Sequence, residues 1–274
     1  MDAASFADMV GPGRALSRLD VVRSSPSTNS ALLAAAQEDP QAWDHMSALV
    51  ADHQTAGRGR AGRTWATPPR AALTGSYVLR PDVPREAYGW APLVAGLATV
   101  RALRRSGIGA FLKWPNDVVV EHGARHIAEW GRWRKCVGIL CEAVPGQDAI
   151  VAGIGINVSQ SASELPVPHA ASLATLGAAS LDRVALQRAL AAELRDAIDG
   201  WVLDYHAGAG DQTADAVASV CATLGWDVAV DVPGGSPVTG RAERLSPQGG
   251  LVISTAAGEH TVLAGDVRVR RAGS

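Results

Sequence analysis

Three arginines and three glycines fall within seven positions, Gly57-Arg58-Gly59-Arg60-Ala61-Gly62-Arg63. Arginine presents a rigid fork of donors that suits phosphate or carboxylate. Glycine lets the backbone come close to a ligand and adopt conformations that other residues avoid. A loop rich in both is a candidate clamp for an anion. Three readings compete. Gly57, Gly59 and Gly62 spell the G-x-G-x-x-G of dinucleotide-binding loops, but that fingerprint needs a helix to open directly after the turn. Here Thr64-Trp65-Ala66-Thr67-Pro68-Pro69 follows, and paired prolines do not continue a helix. Arg-Gly segments that bind nucleic acid recur along basic chains, whereas this stretch stands alone in a chain with 25 Lys and Arg against 27 Asp and Glu. The third reading is a solvated basic loop.

Other stretches carry chemistry. Lys113-Trp114-Pro115-Asn116-Asp117 is a polar cluster wedged between strand-like apolar runs. Taken alone, Asn116-Asp117 is a turn signal. Lys135 opens the run Cys136-Val137-Gly138-Ile139-Leu140-Cys141, which Glu142 ends. Gly138, and Gly153 and Gly155 in the run 150–158, weaken strands, so each implies a bulge or a close approach of a ligand to the sheet. Side by side, such strands leave a channel for a slender apolar chain. Ser27 and Thr28 precede a run of helix formers and read as caps. Free N–H groups at such a helix start can also hold a polar ligand group. His122 and His126 have no acidic or thiol cluster around them, which argues against zinc.

These residues need elements to position them. Strands are expected near 19–22, at 47–51 leading into the Arg/Gly loop, at 71–79, on both sides of the Asn116-Asp117 turn, at 135–142 and at 150–158. Helices are expected over 30–38, over 92–106 with Leu93, Leu97, Val100 and Leu103 as its core face, and from Asp182 to about 205 with Leu186, Leu190, Leu194 and Ile198 as its apolar stripe. A shorter helix is expected over 214–223. Residues 1–20 read as a loose arm. From 227 onward, short strand candidates at 227–232, 239–245, 251–255, 260–263 and 267–271 alternate with glycine-rich turns, the texture of a small closed β-barrel. The change near Gly225 divides the chain into units at 21–222 and 223–274. The stretch 121–134, basic and tryptophan-containing, interrupts one strand pair.

Bulk properties exclude several classes. With 47% hydrophobic residues over 274 positions the chain can bury a sizeable core. A net charge of −2 supplies no field toward nucleic acid or acidic membranes. The first residues lack the pattern of an export signal, and no apolar run approaches bilayer length. Three cysteines, Cys136, Cys141 and Cys221, are an odd count and read as free thiols in a reducing cytosol. A cytoplasmic protein is expected.

Taken in order, the motifs resemble the biotin protein ligases. The carriers are Ser27-Thr28-Asn29, Gln54 with Gly57-Arg58-Gly59-Arg60-x-Gly62-Arg63-x-Trp65, Lys113-Trp114-Pro115-Asn116-Asp117, Lys135-x-x-Gly138-Ile139-Leu140-x-Glu142, Gly153-Ile154-Gly155-Ile156-Asn157, Gly240-x-Ala242 and Gly265-Asp266-Val267. They span roughly residues 20–271. The resemblance implies an α+β catalytic domain like the class II aminoacyl-tRNA synthetases, a mixed sheet with flanking helices, followed by an SH3-like barrel. Bifunctional members add an N-terminal helix-turn-helix; about 20 residues precede the first strand here, so a monofunctional enzyme is expected. The long 121–134 stretch departs from the pattern.

The resemblance also implies a two-step reaction. Biotin and ATP give biotinyl-5′-AMP, and a lysine of a biotin carboxyl carrier protein domain then takes the biotinyl group. Arg58, Arg60, Lys135 and Asp117 are the expected catalytic residues, with Asp117 as the contact to Mg2+ or to the attacking lysine. Biotin is assigned to Ser27, Thr28, Asn29, Gln54, Arg58, Gly59, Arg60, Trp65, Lys135, Gly138, Gly153 and Gly155. ATP and the adenylate are assigned to Arg58, Arg60, Arg63, Trp65, Lys113, Asn116, Lys135 and Asn157. The Arg/Gly loop is expected to be mobile without ligand and to close over the adenylate, keeping water from the mixed anhydride. Two alternatives remain: a lipoate-type protein ligase, and a non-enzymatic regulator that binds biotinyl-AMP.

Overall fold

The computed structural model describes residues 1–208, 211–232 and 234–269. Its larger sheet has seven strands: β1 (Arg18–Val22), β2 (Ser47–Ala51), β3 (Ala72–Leu79), β4 (Ala110–Lys113), β5 (Asp117–Glu121), β6 (Trp133–Ala143) and β7 (Ile150–Asn157). They lie in the order β1-β2-β3-β7-β6-β5-β4. Only β1 and β2 run parallel; the remaining pairs are antiparallel. The sheet is therefore mixed, and helices cover it on both sides.

Alternation along the strands sorts the side chains. One face carries Ala48, Val50, Tyr77, Leu79, Ala152, Ile154 and Ile156 into the main core. Helices α2 (Ala91–Arg105) and α3 (Arg183–His206) pack there through Leu93, Leu97, Leu190 and Leu194. The opposite face buries Leu49, Val78 and Val151 against Leu32 and Ala36 of α1 (Thr28–Glu38). Along the strands, that second face continues into Thr74, Ser76, Gly153 and Gly155, which small side chains leave open.

The amino-terminal arm is not loose. Ala3–Met9 form a short 3-10 helix, and Phe6, Met9 and Leu16 join the main core. The Met1 ammonium pairs with Asp52 at 2.7 Å. Three apolar anchors among small residues suffice to dock the segment, although they follow no helical or strand period. Helix α1 also starts earlier than expected. The Ser27 side chain accepts from the Ser30 N–H, and Thr28 and Asn29 are already in the first turn and buried against the sheet. The last helix, α4 (Asp211–Ala218), precedes the second sheet.

That sheet holds β8 (Asp227–Asp231), β9 (Val238–Leu245), β10 (Leu251–Thr255), β11 (Gly258–Val262) and β12 (Asp266–Val269), in the order β11-β10-β9-β8-β12 and antiparallel throughout. Residues 270 and 271 of the expected last strand lie outside the described residues. No ladder joins β11 to β12 among the described residues, so the pairing there is that of one five-stranded sheet without the closure expected of a barrel. Val228, Val230, Ala242, Leu251, Ile253 and Val267 belong to the same contiguous core as α2 and α3. Trp114 ties the two sheets together by donating from its indole to the Gly249 carbonyl at 3.0 Å. No helix among the described residues is long and apolar enough to cross a membrane.

Candidate active site

The site lies on the open face of the large sheet. In the register, Gly155 pairs with Thr74 on one side and Gly138 on the other, and Gly138 pairs with Asp117. Paired residues share a face, so Thr74, Gly155, Gly138 and Asp117 form a row across four strands. Lys135 is three residues from Gly138, and a regular strand would turn it to the opposite face. A β-bulge prevents this: Val118 pairs with Val137 and Val119 with Lys135, leaving Cys136 as an extra residue. The bulge sends Cys136 into the core and Lys135 onto the face of Asp117. Their ion pair closes at 2.5 Å. Burial pushes the Asp117 carboxyl up, but Lys135 and Lys113 together outweigh it and hold it below the usual carboxylate range.

A buried polar chain forms one end of the site. The backbone N–H and hydroxyl of Thr28 both donate to Gln54 Oε1, at 2.7 and 3.0 Å. The Ser76 hydroxyl reaches Thr28 Oγ1 at 2.9 Å and Asn29 Oδ1 at 3.0 Å. Asn29 donates to Glu142 at 2.7 Å. The Arg/Gly loop folds over this floor. Gly59 N–H donates to the Arg63 carbonyl and Trp65 N–H to the Gly57 carbonyl. Ala61 and Gly62 take left-handed backbone angles, with φ of 52° and 71°. Each arginine reaches a different acceptor. Arg58 donates to Glu142 at 2.8 Å and to Ser30 at 2.9 Å. Arg60 donates to Asn116 Oδ1 at 3.0 Å, and Asn116 in turn donates to the Ile139 carbonyl at 2.7 Å. Arg63 pairs with Asp266 of β12.

What comes close to the strand glycines is not the expected ligand but side chains of the protein itself. A Cβ at Gly155 would lie 2.7 Å from the Trp65 indole, and one at Gly138 2.9 Å from it; a Cβ at Gly153 would run into Asn29. Gly155→Ala is therefore expected to overpack the sheet by about 1–3 kcal/mol. Thermal unfolding checks this, with Gly109→Ala as control because a Cβ there meets nothing within 4 Å. Equal midpoints for the two variants would remove the close-packing account of Gly155.

Two cavities open on either side of Trp65. The first, about 690 Å³ with its open mouth included, is lined by all twelve residues assigned above to biotin. The second, about 1240 Å³ on the same measure, extends past Lys113 to the carboxyl-terminal sheet. Of the residues assigned to ATP, Arg63, Trp65, Lys113, Lys135 and Asn157 line it, whereas Arg58, Arg60 and Asn116 line the first cavity only. Arg63, Thr64, Trp65, Asp117 and Lys135 are shared by both. Asn157 is buried and already bonded, donating to the Ala171 carbonyl at 3.1 Å and accepting from Gln160 at 2.9 Å. The Trp65 indole N–H is buried without a hydrogen-bond partner among the described residues.

Several residues here escaped the sequence reading of the site. Glu142 joins Asn29 to Arg58. It lies four residues beyond Gly138 on one strand, an even spacing that places both on one face. Trp130, His169 and Arg268 line the second cavity. Trp130 was legible only as an aromatic residue in a polar loop. Burial, then Lys135, push the His169 imidazole down to about 4. A depressed histidine favours the fold while neutral, so its stabilising effect is full above about pH 6.5 and is lost as pH falls toward 4. Urea midpoints measured across that window should fall less steeply for His169→Gln than for the parent chain. Parallel curves would contradict the assignment.

Comparison with known proteins agrees with this geometry. Residues 21–159 match the sequence profile of the Biotin/lipoate A/B protein ligase family. The chain belongs to this family. It is 38% identical to the biotin–[acetyl-CoA-carboxylase] ligase of Mycobacterium tuberculosis, over 97% of this chain and 95% of that one. A shorter match, 35% identical, reaches the bifunctional ligase/repressor BirA of Escherichia coli over 56% of this chain and 46% of that protein. Among solved structures, the biotin protein ligase of Aquifex aeolicus in complex with biotin and ATP superposes with a TM-score of 0.69 at 28% identity, covering 93% and 99% of the two chains. The matched family segment begins in β1 and ends just after β7, so it contains the first cavity and the Lys135–Asp117 junction.

Proposed function

We propose that this chain is a biotin protein ligase. It activates biotin with ATP to biotinyl-5′-AMP and transfers the biotinyl group to a lysine of a biotin carboxyl carrier domain. The observation that carries this reading is the meeting of two cavities at one ion pair, Lys135 with Asp117. The first cavity suits biotin. Thr28, Asn29 and Gln54 offer donors and acceptors for a ureido ring, and Trp65 and Ile139 give apolar walls for a valeryl chain. The second suits the nucleotide, with Lys113, Arg63 and Lys135 available to phosphate oxygens.

In the first step a biotin carboxylate oxygen bonds to the α-phosphorus of ATP and pyrophosphate leaves. Two anions must meet, so fixed positive charge at the junction lowers the barrier. Lys135 supplies it, and Asp117 orients the ammonium. Arg60, one residue pair away through Asn116, adds a second cation from the loop. In the second step the carrier lysine attacks the acyl carbon and AMP leaves; no covalent bond to this protein forms. The residues do not fit a resident magnesium ion. No group of three His, Cys, Asp or Glu converges among the described residues, and the carboxylates lining the second cavity are each engaged by a cation, Asp117 by Lys135, Asp266 by Arg63, and Glu129 and Asp231 by Arg268. Magnesium enters as part of the nucleotide substrate, held chiefly by its phosphates.

The finer architecture is read in the same way. The large mixed sheet with its helices, 21–222, is taken as a catalytic domain of class II synthetase type, and 223–274 as an SH3-like unit. The return of β12 to the side of β8 supports the second assignment. Within the family, lipoate is the rival substrate, and ATP–pyrophosphate exchange separates the two. Exchange is expected with biotin and not with lipoate; the reverse preference would replace this reading by a lipoate ligase.

A further inference from the structure

The stretch 121–134 departs from the family pattern, and its fold gives it a place in the second cavity. Strands β5 and β6 continue pairing to Glu121 and Trp133. Beyond them the chain forms an arm whose tip is closed by two hydrogen bonds between Ile127 and Gly131, at 2.8 Å each. Arg134, buried at the arm's base, donates to the Arg125 carbonyl at 2.6 Å. At the tip, Glu129 takes a left-handed φ of 64°. Its carbonyl accepts from Val269 N–H at 2.9 Å, and its carboxylate pairs with Arg268 at 3.2 Å. The arm is thus fastened to β12 across the cavity mouth.

This anchoring sets Trp130. One face of its ring stacks on His169, with centroids 4.0 Å apart and planes 7° apart. Lys113 Nζ lies 4.5 Å from the ring centroid. Lys113 is 4% exposed and forms no ion pair among the described residues. Burial works against its charge, and Asp117 works for it. A buried ammonium at a cavity wall needs an anion, and an aromatic face is the partner that leaves its donors free for one. The backbone behind His169 is fixed as well, because its carbonyl accepts from Lys135 N–H at 2.7 Å.

We infer that Trp130, backed by His169, is a positioning residue for nucleotide binding: it holds the Lys113 ammonium in the second cavity where a triphosphate oxygen lies. The inference rests on the ligase reading for the identity of the ligand. Its test compares the parent chain with Trp130→Ala and Trp130→Phe. Calorimetry, with saturating biotin, measures the Kd for a non-hydrolysable α,β-methylene analogue of ATP; biotin alone is titrated separately. Trp130→Ala is expected to weaken nucleotide binding about tenfold, in keeping with the loss of a desolvated cation–π contact. The biotin Kd stays within about twofold, and Trp130→Phe, which keeps an aromatic face, returns most of the nucleotide affinity. A nucleotide Kd unchanged in Trp130→Ala overturns the inference. So does an equal loss for biotin and nucleotide, or a phenylalanine variant as weak as alanine. A parent chain that binds the nucleotide analogue yet supports no biotin-dependent exchange would remove the ligase reading alone, leaving the Trp130 comparison intact.

Discussion

Replacing Lys135 by methionine is expected to slow biotinyl-adenylate formation by about a thousandfold, the upper end of what one preorganised electrostatic contact contributes. The size follows from the position. Lys135 and Asp117 line both cavities, and the residue reaches this face only through the bulge at Cys136. Methionine keeps most of the aliphatic stem, which packs 3.4 Å from the Cβ position at Gly138. It removes the charge and the direct ion pair, and leaves the buried Asp117 carboxylate with the weaker influence of Lys113 and Arg63. A negative group would then face the carboxylate and the phosphate that must approach each other. Single-turnover assays with radiolabelled ATP measure the step directly. A loss smaller than tenfold would mean that the junction is not where the two substrates meet.

Arg60→Ala is expected to slow the same step by about a hundredfold, again on the scale of one lost charge contact. Arg60 touches the sheet through a single bond to Asn116 Oδ1. Asn116 keeps its own anchor to the Ile139 carbonyl, so the floor should survive the substitution and the loss should fall on the reaction. Arg58 differs. It is braced by Glu142 and Ser30 at the end of the first cavity, and its removal should act on biotin affinity first. A change below threefold in Arg60→Ala would refute its role at the developing phosphate charge.

How much of this was legible depends on the residue. The alternating strands and the apolar stripes of α2 and α3 follow directly from their periods, and the elements lie where the periods put them. The glycines at 138, 153 and 155 signalled a bulge or the approach of a ligand, and the fold shows instead that Trp65 and Asn29 of the chain itself lie against them. Lys135 is the sharper case. Strand alternation alone places it on the wrong face, because a bulge shifts the register by one and leaves no sequence mark. The docked arm of residues 1–16 was hidden for another reason. Phe6, Met9 and Leu16 are spaced irregularly, so no period reveals that each finds a slot in the core. The arm at 121–134 was visible as an interruption, whereas its contact with β12 joins residues about 140 positions apart, beyond the reach of any local rule.

Transfer of labelled biotin to a carboxyl carrier domain tests the central claim most directly. The parent chain, ATP with magnesium, biotin and the carrier should place label on one carrier lysine. Omitting ATP should abolish transfer, and Lys135→Met should reduce it as far as it reduces adenylate formation. Label that forms biotinyl-5′-AMP but never reaches the carrier would contradict the account and leave a protein that binds the adenylate without acting as a ligase.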